Sequence, residues 1–188
     1  MNRGELWLIR HGETEWSASG RHTSSTDLAL TAEGERKAVA VGQLLAGKAF
    51  AMVLASPLRR ALETCRLVGY TPEVTPDLRE WGYGAYEGLT TAEIQVQNPG
   101  WTIWTATPPG GESAEHVGAR ADRVIASAMS AEGDVALFGH GHMLRVVAAR
   151  WLGLEPTGGR LLALSTGSLS VLGHERETRV VQGWNRTP

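Results

Sequence analysis

The side chains best suited to chemistry begin with an Arg and a His side by side, Arg10 and His11, followed by Gly12. Arg10 supplies a fixed positive charge, His11 supplies a nitrogen nucleophile, and Gly12 lets the backbone come close to a bound group. Two later apolar runs are also followed by basic residues, which include Arg60 and His140. Guanidinium groups bind phosphate oxygens in bidentate fashion, so these residues together would form an anion site.

This set of side chains suits phosphoryl transfer. Nearby cations lower the pKa of a histidine, so we expect His11 to stay neutral and nucleophilic near neutral pH. A histidine nucleophile divides phosphoryl transfer into two steps through a phosphoenzyme. Departure of an alkoxide requires a proton, and the candidate donor is Glu80, in a Gly- and aromatic-rich loop that runs from Leu78 to Gly88.

Strands alternating with amphipathic helices must position these residues. Strands are predicted at Glu5–Ile9, Met52–Ala55, Val74, Val135–Phe138, Leu161–Leu164 and Leu169–Leu172. Helices are predicted after Thr31, after Ser56-Pro57 with Ser56 as N-cap, over Thr91–Val96, after Ser113 and after His142, and a loop is predicted over Ser17–Leu30. The alternation predicts a three-layer α/β/α sandwich around a mostly parallel sheet. Because parallel strands end at one edge of the sheet, the basic residues would converge there.

Length and composition limit the class of protein. The 188 residues fit one domain over residues 1–188, and a net charge of −2 provides no basic field for nucleic acid. The single cysteine, Cys65, lies on an apolar helical stripe and fits a reducing compartment. No apolar run approaches the roughly 18 residues of a membrane span, and no signal pattern opens the chain. We therefore expect a cytoplasmic protein without nucleic-acid or membrane partners, in which a late edge strand could pair across a homodimer.

Four motifs, taken together and in order, resemble those of a known family. They are Arg10-His11-Gly12-Glu13-Thr14, Ser56-Pro57-Leu58-Arg59-Arg60-Ala61, Glu80…Gly84…Glu87-Gly88 and His140-Gly141. The set is similar to that of the histidine phosphatase superfamily, in its phosphoglycerate-mutase-like branch. The run from Glu80 to Thr91, followed by Trp101 and Trp104, most resembles small acid phosphatases of the actinobacterial type.

The resemblance implies roles for individual residues. His11 would be phosphorylated, Glu80 would donate the proton, and Arg10, Arg60 and His140 would hold the phosphoryl group. The family pattern places its Arg directly before Ala, which selects Arg60 over Arg59. The residues implied on the substrate side are Ser17, Thr23, Tyr83, Gly141 and His142. Ser17 and His142 stand where mutases commonly have Asn, and His142 could act through its side chain or only through its backbone N–H at a helix start.

The resulting expectation is a phosphomonoester hydrolase that uses neither metal nor cofactor and acts on a small phosphorylated metabolite. A cofactor-dependent phosphoglycerate mutase and a non-catalytic phosphate-binding module are the alternatives. A metal site made of histidines is disfavoured, because no acidic partner stands at ligand spacing and neighbouring Arg residues would repel a cation. The stretch from Trp101 to Gly111 could be a partial lid over the site or a packed surface loop. Glu112 could pair with an Arg of the pocket or could lie near the positive end of a helix. Arg145 is expected to be structural.

Overall fold

A six-stranded mixed sheet forms the centre of the computed structural model, which describes residues 4–188. The strands are β1 (Leu6–Arg10), β2 (Met52–Ala55), β3 (Glu73–Val74), β4 (Val135–Gly139), β5 (Leu169–Glu175) and β6 (Thr178–Arg186). Their order across the sheet is β3-β2-β4-β1-β5-β6. The first four strands pair in parallel, whereas β5 and β6 are antiparallel to their neighbours.

Helices cover both faces of this sheet. They are α1 (Glu15–Ala18), α2 (Ala32–Leu44), α3 (Arg59–Val68), α4 (Thr91–Gln97), α5 (Ala114–Met129) and α6 (Gly141–Trp151). Three 3-10 helices lie between them, at Pro76–Leu78, Gly84–Tyr86 and Pro156–Leu161. The predicted caps Thr31 and Ser113 each accept a backbone N–H at the start of α2 and α5.

The strands pack on two hydrophobic clusters because successive side chains point to opposite faces. Leu8 and Leu137 belong to the cluster that contains the buried residues of α5 and α6. Ile9 and Phe138 belong to the cluster that contains Val41 of α2 and Cys65 and Val68 of α3. Burial raises the pKa of the Cys65 thiol to about 12. The three-layer α/β/α sandwich around a mostly parallel sheet is therefore confirmed.

The sheet brings three strand ends to one edge. Strand β4 lies between β1 and β2, with Arg10 beside Gly139 and Ala55 beside Phe138. The residues that follow these ends are His11, Ser56 and His140. This parallel register is the reason that motifs distant in the sequence meet in space.

The predicted strand at Leu161–Leu164 is wrong. Leu161 closes a 3-10 helix and is largely exposed, and no strand includes the three residues after it. Two carbonyls of this stretch accept side-chain donors instead, Ala163 from Trp184 Nε1 and Leu164 from Arg10 Nη1. A run of four apolar residues has no alternation, so its periodicity could not distinguish a strand from buried irregular chain.

Strand β6 escaped sequence prediction because its hairpin turn carries no turn signal. The register pairs Glu175 with Thr178, which leaves Arg176 and Glu177 as the connection. Two-residue hairpin turns favour Gly, Asn or Asp, since they need positive φ. Here Arg176 adopts φ +53° itself.

The sequence also misplaced three helix boundaries, one of which is the start of α6, at Gly141 rather than after His142. Leu58 rather than Ser56 is the N-cap of α3, and Leu58 makes no side-chain cap bond. The predicted loop from Ser17 onward begins inside α1, where Thr14 and Ser17 form a capping box. No helix within residues 4–188 is long and apolar enough to cross a membrane.

Candidate active site

A cavity of about 170 Å³ opens at the shared edge of the sheet. Eight predicted site residues border it: Arg10, His11, Ser17, Thr23, Glu80, Tyr83, Gly141 and His142. The other two, Arg60 and His140, are fully buried and do not border it. The cavity thus holds the predicted nucleophile, one guanidinium and the predicted proton donor together.

His11 has one ring nitrogen engaged and its ionisation suppressed. Its Nδ1 lies 2.6 Å from the carbonyl oxygen of Gly12. A carbonyl can only accept, so Nδ1 carries the proton and the lone pair of a neutral ring resides on Nε2. Burial, followed by the charges of Arg10 and Arg60, holds the pKa of His11 well below its usual range. The sequence predicted this direction from the cations, and burial proves to be the larger cause.

Arg10 presents an unsatisfied donor at the cavity. Its Nη1 donates to the Leu164 carbonyl, while its buried Nε has no hydrogen-bond partner within residues 4–188. A buried N–H without an acceptor is costly unless a bound group satisfies it. Gly141 makes room for this guanidinium, because a Cβ at position 141 would stand 3.1 Å from the Arg10 guanidinium carbon.

Arg60 lies behind the cavity and is held by a loop. Its Nη1 donates to the carbonyl of Thr26 (3.0 Å), and its Nη2 donates to those of Thr23 (3.2 Å) and Ser24 (3.3 Å). Its Nε donates to His140 Nδ1 at 3.2 Å. Four of the five guanidinium N–H groups are thereby used.

The proton on His140 follows from these contacts. Because Nδ1 accepts from Arg60, the neutral ring carries its proton on Nε2, which lies 2.8 Å from Ser56 Oγ. Burial, then Arg60 and His11, keep the pKa of His140 well below its usual range. The hydroxyl predicted to cap α3 therefore orients the ring of His140.

Glu87 fixes the loop that holds Arg60. Its carboxylate accepts the backbone N–H groups of Ser24 (2.9 Å) and Thr26 (3.0 Å) and the hydroxyl of Ser24. These bonds join the Glu87-Gly88 motif to the loop, and through its carbonyls to Arg60.

The Glu80 carboxyl group is held at the start of α6. Its Oε1 accepts from the backbone N–H groups of Trp81 (2.9 Å) and Met143 (2.8 Å). Among residues 4–188, its Oε2 accepts only the N–H of His142, at 3.0 Å. The side chain is 7% exposed, so the carboxyl group meets the cavity in one fixed orientation.

The predicted substrate-side residues are already engaged with the protein. Ser17 Oγ takes part in the capping box with Thr14, and Thr23 Oγ1 donates to the Arg21 carbonyl. Tyr83 Oη lies 2.6 Å from His142 Nδ1. Burial raises the pKa of the Tyr83 hydroxyl, which therefore carries the proton and donates it to His142.

The side chain of His142 has a defined place in the site. Burial and then the charge of Arg145 keep the pKa of His142 well below its usual range, so the ring accepts from Tyr83 in its neutral form. The Trp104 ring lies against it at an angle of 56°, with centroids 5.1 Å apart. His142 thus donates its backbone N–H to Glu80, and its ring forms part of the cavity wall.

Some residues of the site carry no sequence signal. Arg145, which the sequence favours as structural, borders the cavity, donates to the Gly159 carbonyl at 3.0 Å and lies over the Trp104 ring. Arg21 and His22 border the cavity as well. Single basic residues on a helix or in a loop resemble ordinary surface residues, so only their neighbours in space reveal them.

Glu112 pairs with an Arg outside this cavity. Its carboxylate binds Arg120, with Oε2 2.8 Å from Nη2. Arg120 lines a neighbouring cavity of about 540 Å³, which Glu80 lines as well. Across the part of the chain that is described, no group of three or more His, Cys, Asp or Glu side chains is arranged to hold a metal ion.

Comparisons with known proteins agree with this geometry. Residues 6–187 match the family described as the histidine phosphatase superfamily (branch 1). The chain is 44% identical over 179 residues to an acid phosphatase of Mycobacterium tuberculosis, covering 93% of this chain and 88% of the relative. It is 36% identical to a sedoheptulose 1,7-bisphosphatase of Saccharomyces cerevisiae, covering 78% and 67%. A solved structure of an open reading frame from Mycobacterium tuberculosis superposes with a TM-score of 0.93 at 42% identity and covers 98% of each chain.

Proposed function

The chain belongs to the histidine phosphatase superfamily, whose members hydrolyse phosphomonoesters, and from that premise we propose that it acts on small phosphorylated metabolites through a phosphohistidine at His11. The observation that carries this proposal is the cavity shared by His11, Arg10 and Glu80. One wall offers a neutral imidazole with its lone pair on Nε2, and another offers a carboxyl group in fixed orientation. The same cavity is lined by the Arg10 guanidinium, whose Nε lacks an acceptor among the described residues 4–188.

The first step transfers the phosphoryl group to the protein. His11 Nε2 attacks phosphorus, and the bond from phosphorus to the ester oxygen breaks. The proton on the Glu80 carboxyl group moves to the departing oxygen, so that the products are a neutral alcohol, phosphohistidine and the Glu80 carboxylate. Oε2 is the oxygen that we assign to this proton, because it accepts a single N–H whereas Oε1 accepts two.

The second step releases phosphate. A water molecule attacks phosphorus, the Glu80 carboxylate takes its proton, and the phosphorus–nitrogen bond breaks with its electrons returning to Nε2. Arg10 satisfies its free N–H on a phosphoryl oxygen in both steps, and Arg60, which does not border the cavity, contributes its positive charge. His140 packs against His11, with ring centroids 5.1 Å apart, and holds Arg60 by hydrogen bond.

Two features support a small metabolite as substrate. The cavity volume of about 170 Å³ accommodates a compact ester rather than a protein segment. One relative carries the name of a sugar bisphosphatase and another that of an acid phosphatase. We therefore assign phosphorylated sugars and similar small alcohol phosphates as the substrate class.

Trapping the intermediate tests this proposal. Acid quenching is avoided, since phosphohistidine is labile to acid, and the reaction with an aryl phosphate is stopped with alkaline denaturant. We expect a mass increase of one phosphoryl group on the peptide that contains His11, and no increase in the variant His11→Ala. An adduct on a different residue, or turnover without an adduct at any time, would overturn the assignment.

The same experiment separates a hydrolase from a mutase. A hydrolase loses the adduct to water at the rate at which phosphate appears in solution. A mutase would keep the adduct until a phosphorylated acceptor such as 3-phosphoglycerate is supplied, and would then transfer it. Persistence of the adduct in water would replace the hydrolase proposal with the mutase one.

A further inference from the structure

We infer that Arg120 and Glu112 are positioning residues for the proton donor, acting on Glu80 through the backbone on both sides of it, and this inference rests on the proposed role of Glu80. Neither residue borders the cavity of His11. Their contacts with the chain around Glu80 are the basis for the assignment.

The segment that carries Glu80 lacks secondary structure of its own. A 3-10 helix ends at Leu78 and the next begins at Gly84, so the five residues between them have no helix or strand to hold them. Backbone carbonyls in such a segment need donors from elsewhere. Arg120, on the buried side of α5, supplies them.

Arg120 holds the chain that precedes Glu80. Its Nη1 donates to the carbonyls of Asp77 and Arg79, at 2.8 Å in each case, and its Nη2 lies 3.4 Å from the carbonyl of Glu80 itself. The side chain is 12% exposed, so water competes little for these donors. One guanidinium thus spans three carbonyls of four consecutive residues.

Glu112 holds the chain that follows Glu80. Its Oε2 accepts the backbone N–H of Gly82 (2.8 Å), and its own N–H donates to the Gly82 carbonyl (2.9 Å). Its carbonyl accepts Trp81 Nε1 at 2.8 Å. Glu112 and Arg120 bind each other through two N–H···O bonds, so the two halves of this support act as one unit.

The pair of Arg120 and Glu112 also contacts Met143, whose backbone N–H supports the Glu80 carboxyl group. Arg120 Nη1 lies 3.5 Å from Met143 Sδ, and the N–H of Met143 donates to Glu80 Oε1. Losing Arg120 would therefore free the carbonyls before Glu80 and loosen Met143 beside it. Displacement of a proton donor by about 1 Å is enough to lower a rate by roughly a hundredfold.

Leaving-group dependence tests the inference. We would measure kcat/KM of the variant Arg120→Met on an aryl phosphate, whose leaving group departs without a proton, and on an alkyl phosphate, whose leaving group needs one. We expect a loss of at least about tenfold on the alkyl ester and less than about threefold on the aryl ester. Equal losses on both substrates would overturn the inference, because a general disturbance of the fold or of the phosphate site affects both alike.

Arg123→Met is the matched control. Arg123 lies on the same helix and binds the carboxylate of the same Asp77, but it contacts no backbone beside Glu80. We expect it to leave both kcat/KM values within about twofold of wild type. If Arg123→Met also lost kcat/KM on the alkyl ester alone, the effect could not be attributed to the backbone contacts of Arg120, and the inference would fail.

A double variant and a conservative one complete the test. In the background Glu80→Gln, adding Arg120→Met should cost less than about twofold on the alkyl ester, since the donor it positions is already absent. Fully additive losses would overturn the inference.

If Arg120→Met does not fold, Glu112→Gln decides instead, because it keeps an acceptor for Gly82 and weakens only the pair with Arg120. Wild-type protein without activity on either ester would refute the proposed function itself and is thus distinct from failure of this inference.

Discussion

At the scale of residues, one hydrogen bond decides which nitrogen of His11 is reactive. The Gly12 carbonyl holds the proton on Nδ1, and burial with the charges of Arg10 and Arg60 disfavours a second proton. Glu80 differs in that its carboxyl group is placed by backbone N–H groups. The proposed mechanism gives these two residues separate tasks, and their variants should therefore fail in different ways.

Glu80→Gln separates proton donation from phosphoryl binding. The amide keeps the volume of the side chain but cannot donate a proton in the way that a carboxylic acid does. We expect kcat/KM on an alkyl phosphate to fall by about a hundredfold or more and on an aryl phosphate by less than about tenfold. The exposed residue Glu115 provides the control as Glu115→Gln, and similar losses on the two esters would count against Glu80 as the acid.

The acid side of the pH profile follows from the pKa of His11. A lowered pKa means that the ring stays neutral as the pH falls below about 6.5, the ordinary value for histidine. We expect kcat/KM on an aryl phosphate to be retained as the pH falls from neutrality toward about 5, because His11 stays uncharged and nucleophilic there. A kcat/KM that falls in proportion to the rising proton concentration below about pH 6.5 would contradict this.

At the scale of elements, the sheet explains why sequence motifs predicted so much of the site. Strands β1 and β4 are recognisable as apolar runs, and because parallel strands end together, Arg10, His11 and His140 had to meet. Arg120 could not be found this way, since its partners next to Glu80 are backbone carbonyls, which leave no pattern in the sequence. Strand β6 was missed for a similar reason, because Arg176 takes the positive φ of a turn without being a turn residue.

The loop between α1 and α2 carries a prediction of its own. Glu87 accepts N–H groups of this loop, and the loop carbonyls accept the guanidinium of Arg60. Replacing Glu87 by Ala leaves buried donors unsatisfied and should lower the free energy of unfolding by about 1–3 kcal/mol. It should also lower kcat/KM on aryl and alkyl phosphates by the same factor, because we propose that Arg60 acts on the phosphoryl group common to both.

Denaturant unfolding and paired kinetics check this prediction. Glu87→Gln is the informative companion, since its amide oxygen can still accept an N–H and should restore part of both losses. A Glu87→Ala variant with selective loss on the alkyl ester would mean that the loop acts on the proton donor instead of on Arg60.

At the scale of the whole molecule, two buried histidines and a partly buried one connect the site to global stability. Burial is the largest cause that lowers the pKa values of His11, His140 and His142. Below the ordinary histidine pKa of about 6.5, the unfolded chain binds protons that the folded chain excludes. Stability is therefore full above that pH and declines as the pH falls from it toward the lowered folded values.

A stability profile between about pH 7 and about pH 5 tests this coupling. Each histidine that takes up its proton only in the unfolded chain contributes a slope of up to about 1.4 kcal/mol per pH unit. We expect His140→Gln to flatten the decline and the exposed His116→Gln to leave it unchanged. Equal slopes in the two variants would show that the buried ring does not govern the decline.

Phosphate release is the measurement that bears most directly on the central claim. Wild type and His11→Ala would be compared on an aryl phosphate between about pH 5 and about pH 8, with a strong chelator present. We predict release by the wild type that the chelator does not diminish, together with loss of at least about a thousandfold in the variant. Release by His11→Ala at the wild-type rate would contradict the assignment of His11 as the nucleophile.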